Sequence, residues 1–310
     1  MSGYPKSFIE EIRDFLKGYG FECSVQVRNS SAVLSVTIQE GRDEGLIFPL
    51  DTRASSPEEA AALAEEVWES IGGIIADHGG YPLIVTLDRW NAQREMMQKR
   101  ILSHLEVFSP IYARNCEIRR IDKSAAREFL EKTHSYGHAT CRYCYGMFLK
   151  RHTGHIAAER TAEDRDNDSG HIAPGTLVAV ATFSNARKWI KGGQTVRSYE
   201  WTRYASLPEA RISGGMGRFL KHFIKEVQPD DIMTYADLEW SQGDVYMRLG
   251  FSPEGTKEPV MFAIDGEWRR FPLKPGMSKE NPGTTECDGT NRYFRNFGSN
   301  KFRLKLTDYE

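Results

Sequence analysis

Long apolar runs are missing from this chain. No stretch approaches the roughly 20 residues that a helix needs to span a bilayer, so no membrane contact is expected. The first residues, MSGYPKSFIEEIRDFL, turn acidic and amphipathic at once, without the apolar core and small-residue cleavage site of a signal peptide. Cysteine is scarce as well. Cys23, Cys116, Cys141, Cys144 and Cys287 are scattered and odd in number, a poor disulfide framework that suits a reducing, cytoplasmic compartment. Excess charge of either sign is absent: the formal net charge is −2. That balance argues against broad electrostatic capture of nucleic acid, while a local basic patch stays open. No internal repeat is visible.

What is present is ordinary globular material on a two-domain scale. The chain has 310 residues, 40% of them hydrophobic and 27% charged, with six Trp and sixteen Phe available for cores. Residues 5–18 carry Phe8, Ile9, Ile12, Phe15 and Leu16 at helical spacing. Strands are expected over 22–28, 32–39 and 46–50, with a turn at Asn29-Ser30. Ser56, Pro57 and Glu58 open a long helix to about residue 77, stopped by His78-Gly79-Gly80. A buried strand over 81–87 and a helix over 89–106, basic on one face, follow. This α-β-β-β-α-β order is shared by restriction-type nucleases, which hold Mg²⁺ with an acid and a Glu-x-Lys on adjacent strands. No Glu-x-Lys occurs here, Glu40-Gly41-Arg42 being the nearest approach, and an active nuclease is not expected.

From Cys116 the pattern changes. A strand (116–121), a helix (124–134, with Ala125, Phe129 and Leu130 apolar) and a strand (143–150) precede a polar insertion over His155–Pro174. That insertion is too charged to pack and reads as a surface loop. Strands over 176–184 and 196–206 are separated by a basic connection, ARKWIKGGQ. Next come a Gly-rich turn, a helix, a strand (231–237), a short helix (242–249) and a hairpin turning at Asp265-Gly266. The expected architecture is α/β: a mixed, splayed sheet flanked by helices over 116–274, and a separate, smaller α+β domain over 1–88. A helical linker (89–115) and a C-terminal extension (275–310) complete the chain.

Two segments carry candidate chemistry. The turn Arg211-Ile-Ser-Gly-Gly-Met-Gly217 precedes a helix with Met216, Phe219, Leu220, Phe223, Ile224 and Val227 on one core-facing stripe. Its glycines let a ligand approach the backbone, and unpaired first-turn amides favour an anion. Arg211, Arg218, Lys221 and Lys225 lie on or near the other side, and residues 181–227 hold nine Lys/Arg against three Glu. The same turn could equally serve only to connect a strand tightly to a helix. The second segment, Ser241 to Phe251, reads as a short helix capped by Ser241 and Asp244, stopped by Gly250, with Tyr246 at its centre. A phenol there can protonate a leaving thiolate or merely fill space.

Together these segments resemble the GNAT superfamily of N-acyltransferases over about half the chain. TLVAVATFS resembles its scaffold strand ahead of the acceptor site. SYEWTRYASLPEARISGGMGRFLKHF resembles its fourth strand and phosphate-binding turn, and VYMRLGF its Tyr-x-x-x-Gly-Phe signature. More narrowly, YARNCEIRRID, FLEKTHSYG and MTYADLEWSQGDVYMRLGF resemble the GNAT-like C-terminal domain of phage homing-endonuclease-like proteins. The resemblance implies transfer from acetyl-CoA or another acyl-CoA to an unidentified amine. Arg211, Gly214, Gly215, Gly217 and Arg218 would cradle the pyrophosphate, Tyr246 would be the general acid, and Glu200 the base. Two positions depart from the family pattern. Ile212 stands for the Arg/Gln, or else the turn is one residue longer, and Glu239 stands where an Asn is common. The alternative implied is a phage-type protein that binds or modifies nucleic acid.

Three further patterns stay open. Asp237 ends a strand expected to be parallel, a second candidate base or a loop cap. Cys141-x2-Cys144-x7-His152-x2-His155, with His134 and His138 nearby, has zinc-ligand residue types, but strand alternation would point the two thiols apart, and no metal site is assigned. RYFRNFGSNKFRLKL alternates aromatic and basic residues and reads as an edge strand or a nucleic-acid surface. The oligomeric state is not legible.

Overall fold

The computed structural model describes residues 6–28, 31–38, 42–108, 110–151, 172–273 and 292–309. The turn at Asn29-Ser30, Glu40-Gly41, His152, His155, Cys287 and most of the polar insertion lie outside them. By compactness the chain forms two units: Met1–Leu105 with Ala236–Gln242 and Thr256–Asn300, and Glu106–Tyr235 with Gly243–Gly255 and Lys301–Glu310. Both are discontinuous in sequence.

The first unit opens as α1 (Lys6–Gly18), β1 (Glu22–Arg28), β2 (Ser31–Ile38), β3 (Arg42–Leu50), α2 (Pro57–His78) and β4 (Leu83–Thr86). The expected order is thus observed, and the four strands lie in sequence order with β4 parallel to β3. Local chemistry sets the ends of α2. Ser56 accepts the Glu59 amide at 3.1 Å, Pro57 occupies the first turn, and Gly79 closes the helix at φ 69°.

The helix expected over 89–106 is two helices, α3 (Leu87–Ala92) and α4 (Arg94–His104), broken at Gln93. Arg94 is exposed, but two other basic residues of this segment are drawn into the unit. Arg89 is buried against Glu239, and Arg100 lies 3.9 Å over the Trp240 ring. A small antiparallel sheet, β14 (Met261–Ile264) between β15 (Arg270–Pro272) and β16 (Arg292–Arg295), completes this unit. The β14–β15 connection is the expected hairpin, its turn held by Asp265 accepting the amides of Glu267 and Arg269.

The second unit is built on a mixed eight-stranded sheet. Its strands are β6 (Cys116–Arg120), β7 (Tyr143–Leu149), β8 (Leu177–Phe183), β9 (Arg187–Lys191), β10 (Gln194–Ser206), β12 (Asp231–Asp237), β13 (Ser252–Lys257) and β17 (Ser299–Lys305). The order is β13-β17-β12-β10-β8-β7-β6, with β9 paired to β10. Two three-residue strands, β5 (Pro110–Tyr112) and β11 (Arg211–Ser213), pair in parallel. Helices α5 (Lys123–Thr133), α6 (Gly215–Val227) and α7 (Asp244–Arg248) flank the sheet. This is the α/β class with a mixed sheet expected over the second half of the chain.

Several local expectations are corrected here. ARKWIKGGQ is not a connection but strand β9 and its turn into β10. RYFRNFGSNKFRLKL is two strands, and β17 lies between β12 and β13 rather than at an edge. Ala126, not Ala125, faces the core from α5. Gly243 at φ 93°, not Ser241, caps α7, because the Ser241 amide closes onto the Asp237 carbonyl at the end of β12. Gly250, at φ 91°, is the expected stop.

Candidate active site

The centre of the second unit is where β10 and β12 part. They pair in parallel only from Ser198↔Asp231 to Glu200↔Met233. Against β8 on its other side, β10 then shifts register between Trp201 and Arg203. A bulge of this kind bends a strand and re-aims its side chains. It is held by the Thr202 hydroxyl, 2.8 Å from that of Thr182, and by the Trp201 indole donating to the Arg203 carbonyl at 3.0 Å. Glu200 stands at the last paired position. Its amide donates to the Ser184 hydroxyl at 2.9 Å and its carbonyl accepts the Ser184 amide, which pins the backbone just before the bulge.

Tyr246 reaches the neighbouring Trp201 from α7. Its ring lies among Trp201, Phe251 and Phe302, with centroids 6.2, 5.7 and 5.5 Å away. Burial raises the phenol above its usual range, partly offset by a hydrogen bond with the Thr234 hydroxyl, so it stays protonated at neutral pH. Thr234 Oγ1 also lies 3.2 Å from the Trp201 carbonyl. Phenol, hydroxyl and carbonyl therefore bridge β10 and β12 just beyond their last pair. Sequence reading missed Thr234. Its only signal is alternation, since it is the buried partner between Met233 and Tyr235 on β12.

The Gly-rich turn is tighter than its glycine count suggests. Gly214 sits at φ 77° and ends the β11–β5 pairing, and α6 begins at Gly215. The first backbone bond into this helix runs from the Arg218 amide to the Gly214 carbonyl, so the amides of Gly215, Met216 and Gly217 have no acceptor within it. The stripe of α6 packs inward: Phe223 stacks on Phe183 with centroids 3.9 Å apart, and Phe183 stacks on Trp201. Two of the cations read as phosphate ligands have protein partners. Arg218 donates to the Ala113 and Cys116 carbonyls, while Arg211 pairs with Glu106 at 2.7 Å on the surface.

Beside Arg218 an open groove of about 460 Å³ runs between α6 and β6. Lys150, Arg218, Lys221 and Lys225 line it with His222, and Glu117 is its acid. Positions 218, 221 and 225 recur at helical spacing, so the charges share one face. Lys150 and His222 were not singled out from sequence.

Asp237 belongs to the first unit and spends one carboxylate oxygen on the Glu239 amide at 2.9 Å. The strand it ends is parallel to β10, as expected. The Cys141 and Cys144 sulfurs lie 3.3 Å apart, not on opposite faces, because Cys141 precedes β7 and alternation does not reach it. Burial and that contact push the Cys144 thiol up to about 12. No group of three or more potential metal ligands occurs among the described residues, and no helix there is long and apolar enough to cross a membrane.

No protein-family model and no curated protein matches the chain. Among solved structures it is similar to Eis1 from Mycobacterium abscessus, at 18% identity over 52% of this chain and 36% of that one, with a TM-score of 0.31. A conserved protein of unknown function from Enterococcus faecalis, described as a probable N-acyltransferase, is 12% identical over 48% of this chain and 35% of its own, with a TM-score of 0.30. This chain thus spans about a third of the length of either structure.

Proposed function

We propose that the second unit is an N-acyltransferase that moves an acyl group from an acyl-CoA, such as acetyl-CoA, to an amine. The observation that supports this most is that β10 and β12 stop pairing after Glu200↔Met233, and that just beyond this point a protonated phenol, Tyr246, is joined through Thr234 to the Trp201 carbonyl. Uncommitted amides at the head of α6 and the cations of the adjoining groove suit the phosphates of the carrier. In this reading Gly214, Gly215 and Gly217 let the pyrophosphate approach the backbone, and Arg218 and Arg211 set the turn that presents it. Lys150, Lys221 and Lys225 supply mobile charge.

The chemistry is one displacement. Glu200, directly or through water, takes a proton from the acceptor ammonium, and the freed amine attacks the thioester carbonyl. The C–S bond then breaks, Tyr246 gives its proton to the departing thiolate, and the second proton lost from the nitrogen as the amide forms returns through water to the phenolate. Asp237, the other candidate base from sequence, belongs to the first unit and is given no step here.

Calorimetric titration of the whole protein with acetyl-CoA tests this. Binding is expected, weakened about tenfold or more in the exposed double variant Lys221→Ser, Lys225→Ser. Tyr246→Phe is expected to keep that affinity and lower transfer to a panel of amines by about 100-fold or more. No detectable binding by the unmodified protein removes the proposal.

A further inference from the structure

We infer that the β9–β10 hairpin is a docking arm for single-stranded nucleic acid. From Ser184 to Tyr199 the chain has no acidic residue and four cations, Arg187, Lys188, Lys191 and Arg197. Gly192 and Gly193, at φ 53° and 78°, form the tight two-residue turn that fixes the register Lys191↔Gln194. At the tip stand Trp189 and Ile190, 52% and 73% exposed, the two most exposed large apolar side chains among the described residues.

Edge protection explains only part of this. Lysines on an edge strand discourage pairing with another chain, but an exposed indole and isoleucine beside them do the reverse. Lys188 also stands directly opposite Arg197, a like-charge pair that costs stability. Arg197 is relieved by Asp230, 3.2 Å from its Nε, and by the Gln228 carbonyl. Arg187 and Lys188 have no ion pair among the described residues, and the Lys191 ammonium lies 5.2 Å from the Tyr309 ring.

Alternation puts Arg187, Trp189 and Lys191 on one face at intervals of about 7 Å. An aromatic platform with a cation on either side suits a base stacked on Trp189 and phosphates neutralised beside it. An acidic peptide would use the cations and leave the indole idle. A duplex keeps its bases stacked and offers the indole no face.

The test needs no catalysis, so its outcome is separate from that of the acyltransferase reading. Fluorescence anisotropy of a labelled oligothymidylate is measured with the full chain over a range of salt. Binding is expected to weaken steeply with salt. Trp189→Ala should weaken it about fivefold or more, and Arg187→Ser with Lys191→Ser should lower the salt slope by about 2. Lys132→Ser, an exposed change on α5, should leave it unchanged. These side chains are exposed, and thermal melts by circular dichroism check that each variant folds. The inference is overturned by absence of binding, by binding indifferent to Trp189→Ala in a folded variant, by equal affinity for a duplex, or by equal competition from poly-glutamate.

Discussion

Gly214 and Gly215 are neighbours with different duties. A Cβ on Gly215 would meet Ile212 Cγ2 at 2.7 Å and the Tyr204 hydroxyl at 2.9 Å, so its missing side chain is a matter of packing. A Cβ on Gly214 would find only Ala113 at 3.9 Å, and its requirement is the left-handed φ of 77°. Gly215→Ala is therefore expected to cost about 1–3 kcal/mol and Gly214→Ala about 1 kcal/mol; urea unfolding curves should rank them in that order. Both are poor probes of ligand binding for that reason. In the first unit, burial alone would raise the Glu239 carboxyl, but Arg270 and Arg89 outweigh it and hold it well below the usual carboxylate range. Because the folded value is the lower one, its stabilisation is present above the unfolded value of about 4.3 and is lost as pH falls below it. Glu239→Gln should flatten this acid limb and cost about 3 kcal/mol or more at neutral pH, read by denaturation at a series of pH values.

At the scale of elements, the ends of α2 were legible because they are set by residues a few positions apart. Ser56 caps the Glu59 amide while the Glu59 carboxylate takes the Ser55 amide at 2.7 Å and hydroxyl at 2.6 Å. Ser56→Ala should cost about 1 kcal/mol, seen as a lower thermal midpoint. The stripe of α6 was legible for the same reason: Phe219, Leu220 and Phe223 are buried where the helical period puts them. Strand β9 was not. It has no alternating apolar face, and all but Lys191 are exposed, so only its register with β10 makes it a strand. The bulge after Trp201 was equally hidden. A strict two-residue alternation along β10 does not run through it.

On the scale of the whole molecule, the two units share out the chain in pieces. The first unit's helix α3 carries Asp88 and Arg89, both buried, while their counter-charges come from Arg270 and Glu239, more than a hundred residues later. Arg270 also donates to the Thr86 hydroxyl at 2.9 Å and to Glu239 at 2.8 Å. Residues 1–105 expressed alone would lack Arg270 and Glu239, the counter-charges of buried Asp88 and Arg89, a loss that costs more than a small unit can bear. Such a fragment is expected to lack a cooperative thermal transition in circular dichroism, whereas the full chain has one.

The sequence by itself determined the α/β class, the order of the first six elements, the caps of α2 and the inward face of α6. Each depends on propensity and periodicity within a turn or two of chain. Tertiary structure decided that β17 enters the sheet between β12 and β13, and that Tyr246 meets Trp201 through Thr234. It also decided that Arg218 turns to the carbonyls of Ala113 and Cys116. Those pairings join segments far apart in the chain, and what selects them is burial of specific surfaces and satisfaction of specific donors, which no local pattern encodes.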